Sequence, residues 1–336
     1  MKKQLIIWQL INKSLQQQVP VMLLYVLQSE GSSPGRQGFF MAVNATGETA
    51  GSIGGGIMEH KFIETAKDQL KEAVHLNFSD LRNTYTVEPQ ITIKKQIHNK
   101  SASTNQSGMI CSGEQTILLY PVQRKDKKTV EAIVSSLEQD KNGTLVLSPN
   151  GIEFDPSVPA NDFEYSFQSE EDWIYKEKTG YKNQLFIIGG GHCALAFSKL
   201  MRAMDFYITL YEEREGLNTV VKNEYAHEII IVDDYTALSN LIPAGRNQYI
   251  VIMTFGYRTD DIALRSLLDK QFTYLGVLGS KKKMEKLFDD YREDGISEGR
   301  LQRIHTPIGL SISSRTPEEI AISIAAQIIQ LKNERL

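Results

Sequence analysis

From Asn183 onward the sequence alternates short apolar runs with amphipathic stretches: "QLFIIG", "CALAFSKLMRAM", "YITLYEE", "AHEIIIVDD", "QYIVIMTF", "DIALRSLLDK", "TYLGVLG" and "KKKMEKLFDDYRED". Apolar strands without polar alternation must bury both faces, and the intervening helices supply the cover only if the strands form a parallel sheet. The rhythm therefore predicts a doubly wound parallel-sheet domain over 184–336. Its last segment, "TPEEIAISIAAQIIQLKN", predicts a helix opening at Pro317, with Thr316 as N-cap and Glu319 completing a capping box.

Within this rhythm "FIIGGGHCALAF" sets Gly189, Gly191 and Ala194 in the spacing GxGxxA, directly after a strand and opening a helix. The first glycine permits a tight turn, the second admits a pyrophosphate to the backbone, and the small third residue lets helix pack on strand. The pattern predicts a Rossmann-like domain. Glu212 lies 23 residues beyond Gly189, where a ribose-binding carboxylate belongs. Its charge disfavours a 2′-phosphate, although Arg214 tempers this, so NAD or another nucleotide is the expected ligand; the alternative is a degenerate module kept for structure or dimerisation. His192 in the turn can meet a phosphate or a metal, or simply stand exposed at the cleft rim. For Cys193, packing is favoured over a thiolate at the helix N-terminus. "GSKKKMEKL" places Gly279, Ser280 and Lys281 at a strand-to-helix turn, as a second anion contact or a solvated helix start.

A chain of 336 residues exceeds what one core usually serves, so two domains are expected. Lys and Arg total 37 against 41 Asp and Glu, for a formal charge of -4, which argues against a nucleic-acid partner or an anionic membrane surface. No apolar run reaches the roughly 20 residues of a membrane span, and "MKKQLIIWQLINKSLQQQVP" reads as an amphipathic helix rather than a signal. Cytoplasm is the expected compartment. Two distant cysteines, Cys111 and Cys193, and six scattered histidines indicate neither a disulfide framework nor a protein-only metal site.

Residues 1–150 read as a small α/β domain. A helix over about 4–17 precedes the buried strand "VMLLYVLQS"; "GFFMAV", "NATG" and "ETAGSIG" form a hairpin; Met58, Phe62, Ala66, Leu70 and Ala73 mark one helix face; "TILLYPV" is a strand and "TVEAIVSSLEQ" a helix. "TYTVEPQITI" reads as an edge strand bearing a proline and "IHNKSASTNQSG" as a mobile loop. Acids, aromatics and turn residues over 151–183 read as a linker. Two glycine-rich clusters flank the hairpin: "SSPGRQG", with Ser33 and Arg36, and "GSIGGG", with Gly54, Gly55 and Gly56 ahead of Glu59. Such loops can turn amides toward an oxyanion while a guanidinium grips it, or serve only as turns of a small fold.

Taken in order, "GSSPGRQGFFMAV", "TAGSIGGGIMEHKFIETA", "GMICSGEQTILLYPV", "FIIGGGHCALAFSKLMRAMDFYITLYEER", "VIMTFGYRTDDIALRSLL", "YLGVLGSKKKMEKL" and "IHTPIGLSISSRTPEEIAISIAAQII" resemble the XdhC/CoxI family from about residue 30 to 332. The resemblance implies an accessory protein without turnover of its own. It would bind the molybdenum cofactor (molybdopterin), shield it while a cysteine desulfurase supplies sulfur, and deliver it to a xanthine dehydrogenase-type molybdoenzyme, acting as a homodimer. Candidate contacts to that cofactor are Ser33, Arg36, Gly54, Gly55, Gly56 and Glu59, while Gly189, Gly191, His192, Glu212, Arg214, Gly279, Ser280 and Lys281 are candidate contacts to NAD, another nucleotide or part of the same cofactor. Cys111, on the family's Cys-Gly-Gly position, is the candidate contact to molybdenum or its sulfur. Three positions depart from the family: Ser112 replaces a glycine, Phe255 replaces a histidine, and Ser311 replaces an aspartate. The competing classes are an NAD-dependent oxidoreductase, for which no acid, base and orienter trio is evident, and a nucleotide-sensing regulatory protein.

Overall fold

The computed structural model describes residues 2–79, 90–98 and 113–334, and it separates into two compact units, Met1–Gly180 and Tyr181–Leu336. The first unit opens with α1 (Lys2–Gln16), β1 (Val21–Gly31), β2 (Phe40–Asn44), β3 (Thr49–Gly51) and α2 (Gly56–Ser79). It continues with β4 (Thr92–Ile97), β5 (Gly113–Val122) and α3 (Lys127–Glu138). The strands form an antiparallel sheet in the order β3-β2-β1-β5-β4. Strand β1 is buried from Val21 to Leu27 because both of its faces are covered. Met22, Leu24 and Val26 pack against Met58, Phe62, Ala66 and Leu70 of α2, the helical face expected from their spacing. On the other face Tyr25 stacks on Phe40 at 4.8 Å, and Phe40 meets Trp8 of α1. The hairpin turn is held by the Asn44 carboxamide, which accepts from the Thr46 and Glu48 amides and the Thr46 hydroxyl.

Residues 151–183, read as a linker, instead hold three strands. β7 (Gly151–Asp155), β8 (Phe163–Ser169) and β9 (Asp172–Thr179) join β6 (Gly143–Ser148) in an antiparallel sheet of order β7-β6-β9-β8. The pattern is hard to read because β8 is a largely exposed edge, and because a buried position of β9 carries Glu177. That carboxylate is accommodated by the Tyr25 and Tyr175 hydroxyls, both of which donate to it. β4 is an edge strand that shares only residues 92 and 93 with the segment "TYTVEPQITI", whose residues 84–89, Pro89 among them, lie outside the described residues. So do residues 99–112, including most of "IHNKSASTNQSG" and Cys111.

The second unit runs β10 (Asn183–Ile188), α4 (His192–Arg202), β11 (Phe206–Glu212), α5 (Asn218–Val221), β12 (Glu228–Ile231), α6 (Leu238–Leu241) and β13 (Gly245–Ile252). It ends with α7 (Tyr257–Leu267), β14 (Phe272–Val277), α8 (Lys281–Glu293), α9 (Glu298–Leu301) and α10 (Pro317–Asn333). All neighbouring strands pair in parallel, in the order β12-β11-β10-β13-β14, a Rossmann-like arrangement. Alternate residues feed opposite cores. Phe186, Ile188, Ile250 and Ile252 pack on α7 and α8 through Leu264, Leu267, Met284 and Leu287. Leu185, Ile187 and Val251 pack on α4 and α10 through Phe197, Met201, Ile324 and Ile328. Helix α10 begins as expected, with the Thr316 hydroxyl accepting from the Glu319 amide and the Glu319 carboxylate accepting from the Thr316 amide. Among the described residues no helix is long and apolar enough to cross a membrane.

Candidate functional site

The two glycine-rich loops of the first unit meet back to back. A Cβ built on Gly35 would lie 2.0 Å from the Ile53 carbonyl oxygen, and one on Gly54 would lie 2.5 Å from the Gly35 nitrogen. Glycine is required here by contact, and at Gly54 also by a φ of +131°. Gln115, buried at the start of β5, ties the loops together by donating Nε2 to the carbonyls of Gly35 (2.9 Å) and Ile53 (3.3 Å). Its Oε1 lies 2.9 Å from Nε2 of the buried His98. Sequence reasoning passed over both residues; the available signal was a polar residue at an inward position of a strand. Ser33 is buried and donates to the Gly35 carbonyl, whereas Arg36 is exposed and donates from Nη1 to the Gly31 carbonyl at 2.9 Å.

Glu59 changes the meaning of the second loop. Its Oε2 accepts from the Ser52 hydroxyl (2.6 Å), the Ile53 amide (2.8 Å) and the Gly55 amide (2.9 Å), and the Gly54 amide donates to the Ser52 hydroxyl. Partial burial opposes ionisation of this carboxyl, but the hydrogen bonds from Ser52, Gly55, Ile53 and Gly54 outweigh it and hold the pKa below the usual glutamate value. The expected ring of open amides is thus filled by the chain's own carboxylate. Gly55 remains open to its surroundings.

The second glycine loop sits at the carboxyl edge of the parallel sheet. Gly189, at φ +102°, donates its amide to the Tyr211 carbonyl and is pressed so closely on β13's end that a Cβ would lie 2.5 Å from the Met253 carbonyl oxygen. The Gly190 amide donates to Glu212 Oε2 at 2.7 Å, and its carbonyl accepts from Thr219. Gly191 is the N-cap of α4, without a side-chain cap and with open space beside it; His192 is exposed. Cys193 packs against the α4 core, and burial together with nearby Glu318 raises its thiol pKa, in accord with packing rather than thiolate chemistry.

Glu212 is 2% exposed at its side chain and is bound in two-pronged fashion by Arg214, Nε to Oε1 at 2.8 Å and Nη2 to Oε2 at 2.9 Å. The amides of Glu213 and Arg214 also donate to Oε1. Burial raises its pKa, but Arg214 and the Gly190 and Arg214 amides outweigh that and lower it overall. Across the loop, Asp260 of α7 is buried; Oδ1 accepts from the Thr254 amide (3.1 Å) and hydroxyl (2.5 Å), and Oδ2 accepts from Lys283 Nζ. Ser280 caps α8 through the Lys283 amide, and Gly279 packs on Met284. Lys281 points outward, its side chain 82% exposed.

Two family models match the chain, one described as the XdhC and CoxI family over residues 14–78 and one as the XdhC Rossmann domain over residues 185–328. The chain belongs to the XdhC/CoxI family. The matched segments contain the paired N-terminal loops and the C-terminal crevice respectively. A relative from Escherichia coli (strain K12), named uncharacterized protein YqeB, is 24% identical over 95% of this chain. The chain spans only 44% of that protein's length. A Bacillus subtilis (strain 168) protein, named as a probable subunit of xanthine dehydrogenase, is 21% identical, with 96% of both chains covered. A crystal structure titled as a xanthine dehydrogenase from Bacillus halodurans is similar in fold, with a TM-score of 0.67, 24% identity, and 97% of this chain and 96% of that one covered.

In this XdhC/CoxI protein, Ser33, Arg36, Gly54, Gly55, Gly56 and Glu59 come together at one pair of loops, while Gly189, Gly191, His192, Glu212 and Arg214 lie at the crevice of the second unit. Glu59 and Glu212 do not stand ready for a ligand as expected; each serves its own loop. Five donors from the chain already occupy Glu212, so it does not fit a ribose diol while Arg214 holds it. Lysine reaches the crevice through Lys283 rather than Lys281. Among the described residues no group of three or more His, Cys, Asp or Glu is placed to hold a metal ion.

Proposed function

We propose that this protein is a cytoplasmic maturation factor that binds molybdopterin-bound molybdenum as cargo and delivers it to a xanthine dehydrogenase-type molybdoenzyme. The reading is carried by one observation: two glycine loops locked together by Gly35, Gly54 and Gln115, with Arg36 exposed at their rim. Arg36 supplies a planar cationic fork suited to the cofactor's phosphate. With the Ile53 and Gly55 amides engaged by Glu59, the phosphate meets Arg36 and the open side of Gly55 rather than an amide ring. In the sequence Cys111 precedes Gly113, the first residue of β5, by two positions. A soft thiolate suits molybdenum or its terminal sulfur. Family membership and the name of the Bacillus subtilis relative support the choice of client. A cysteine desulfurase would supply the sulfur while the protein, as a homodimer, shields the cargo.

The test is co-elution of the purified protein with isolated cofactor. Retention and protection from oxidation by the parent, with retention reduced in Arg36→Ala and in Cys111→Ser, is the expected result. A parent that retains no cofactor, or variants that retain it equally well, would sink the proposal.

A further inference from the structure

Phe255 is 86% exposed at the carboxyl edge of the parallel sheet, three residues beyond the end of β13. An aromatic ring left in water gains nothing for folding. A single exposed apolar residue is ordinary by itself; its neighbours make this one different. The Arg214 guanidinium lies 5.4 Å from the ring centre, and Arg214 is fixed there by its two-pronged bond to buried Glu212. One residue back, Thr254 donates to Asp260, which is 1% exposed and accepts from Lys283. A buried ion pair of this kind adds little stability beyond what an apolar pair would give. Yet it stands at the sheet edge where ligands of this architecture bind. The Lys283 ammonium has three donors and a side chain 25% exposed, so Asp260 orients it without exhausting it.

We propose that this crevice binds a planar heteroaromatic ring bearing a phosphate, with Phe255 stacking the ring and Lys283 meeting the oxyanion. Arg214 backs the stacking side chain, Asp260 positions the lysine, and Glu212 reads no sugar hydroxyl. Nucleotides and pterin phosphates share this chemistry. The inference concerns the second unit alone and stands whether or not the N-terminal loops hold molybdenum.

Calorimetry on the full chain uses ADP, 2′-deoxy-ADP and neopterin monophosphate as probes. Binding of ADP identifies a nucleotide and binding of neopterin monophosphate a pterin; either supports the site. Phe255→Ala should weaken the bound probe by about tenfold or more, in the range of base–aromatic stacking. Because Lys283→Met leaves buried Asp260 unpaired, the neutral double variant Asp260→Asn/Lys283→Met is the working test. It should keep its circular dichroism spectrum and weaken the phosphorylated probe at least tenfold, while leaving the affinity for the matching unphosphorylated probe, adenosine or neopterin, within about twofold. ADP and 2′-deoxy-ADP should bind alike if ADP is the ligand. Failure of all three phosphorylated probes to bind, unchanged affinity in Phe255→Ala or in the double variant, or strong preference for ADP over its 2′-deoxy form would overturn the assignment. Cofactor retention by the parent and Arg36→Ala is a separate readout, so failure of one reading is distinguishable from failure of the other.

Discussion

Replacing Glu59 by Gln keeps the side chain's shape and removes its charge, leaving the Ser52 hydroxyl and the Ile53 and Gly55 amides facing a weaker acceptor. Hydrogen bonds to a charged group contribute about 1.5–3 kcal/mol against roughly 1 for a neutral pair. The carboxylate is only partly buried, so water screens part of this difference. Adding the lost interaction with the N-terminus of α2, the variant should be about 1–1.5 kcal/mol less stable at neutral pH. For a unit of this size that lowers the melting temperature by about 2–6 °C. Trp8 and Trp173 are the chain's two tryptophans, both buried in the first unit, so their fluorescence reports its unfolding selectively. The sign with pH follows from the lowered folded pKa: stabilisation is complete above the unfolded glutamate value and disappears as pH falls through the folded one. Parent and variant should therefore converge as pH falls below the ordinary glutamate value and through the lowered folded one. Equal melting at pH 7, or a gap that stays constant on acidification, would show that Glu59 does not hold the loop.

Gly35→Ala should destabilise the first unit by about 1–3 kcal/mol, since its Cβ would strike a backbone carbonyl held by Gln115; urea unfolding followed by tryptophan fluorescence measures this. Arg214→Ala should destabilise the second unit by about 1–3 kcal/mol by leaving Glu212 with amide partners only, and it should raise the pH of that unit's acid transition, read by circular dichroism. For His227, burial and then Arg202 lower the pKa to about 3. Its Nδ1 accepts from the Ile208 amide, so the neutral ring carries its proton on Nε2, facing the Tyr181 hydroxyl. The contribution of this neutral ring is intact above the unfolded histidine value and is lost as pH falls from there toward the folded one. NMR should find the His227 ring untitrated between pH 8 and 5, and titration near the ordinary histidine value would refute the assignment.

The second unit was readable because its signals are local or periodic. Apolar runs with nothing polar to expose identify strands that must be covered on both faces, and the Thr316–Glu319 capping box lies within four residues of chain. The sheet over 143–179 was not legible: β8 exposes nearly every residue, and β9 hides a glutamate whose two tyrosine partners come partly from β1. The choice of Lys283 over Lys281 depends on which side of the first turn of α8 faces Asp260 of α7, 23 residues back in the chain.

What the sequence determined alone was where the backbone has to turn tightly and which side chains need burial, because glycine freedom, capping and hydrophobic period are properties of a few neighbouring residues. What the tertiary structure decided was which polar groups remain available. A carboxylate has a limited number of lone pairs and an amide one hydrogen. Whether Glu59 and Glu212 spend theirs on a ligand or on their own loops is settled by what the folded chain brings within about 3 Å of them.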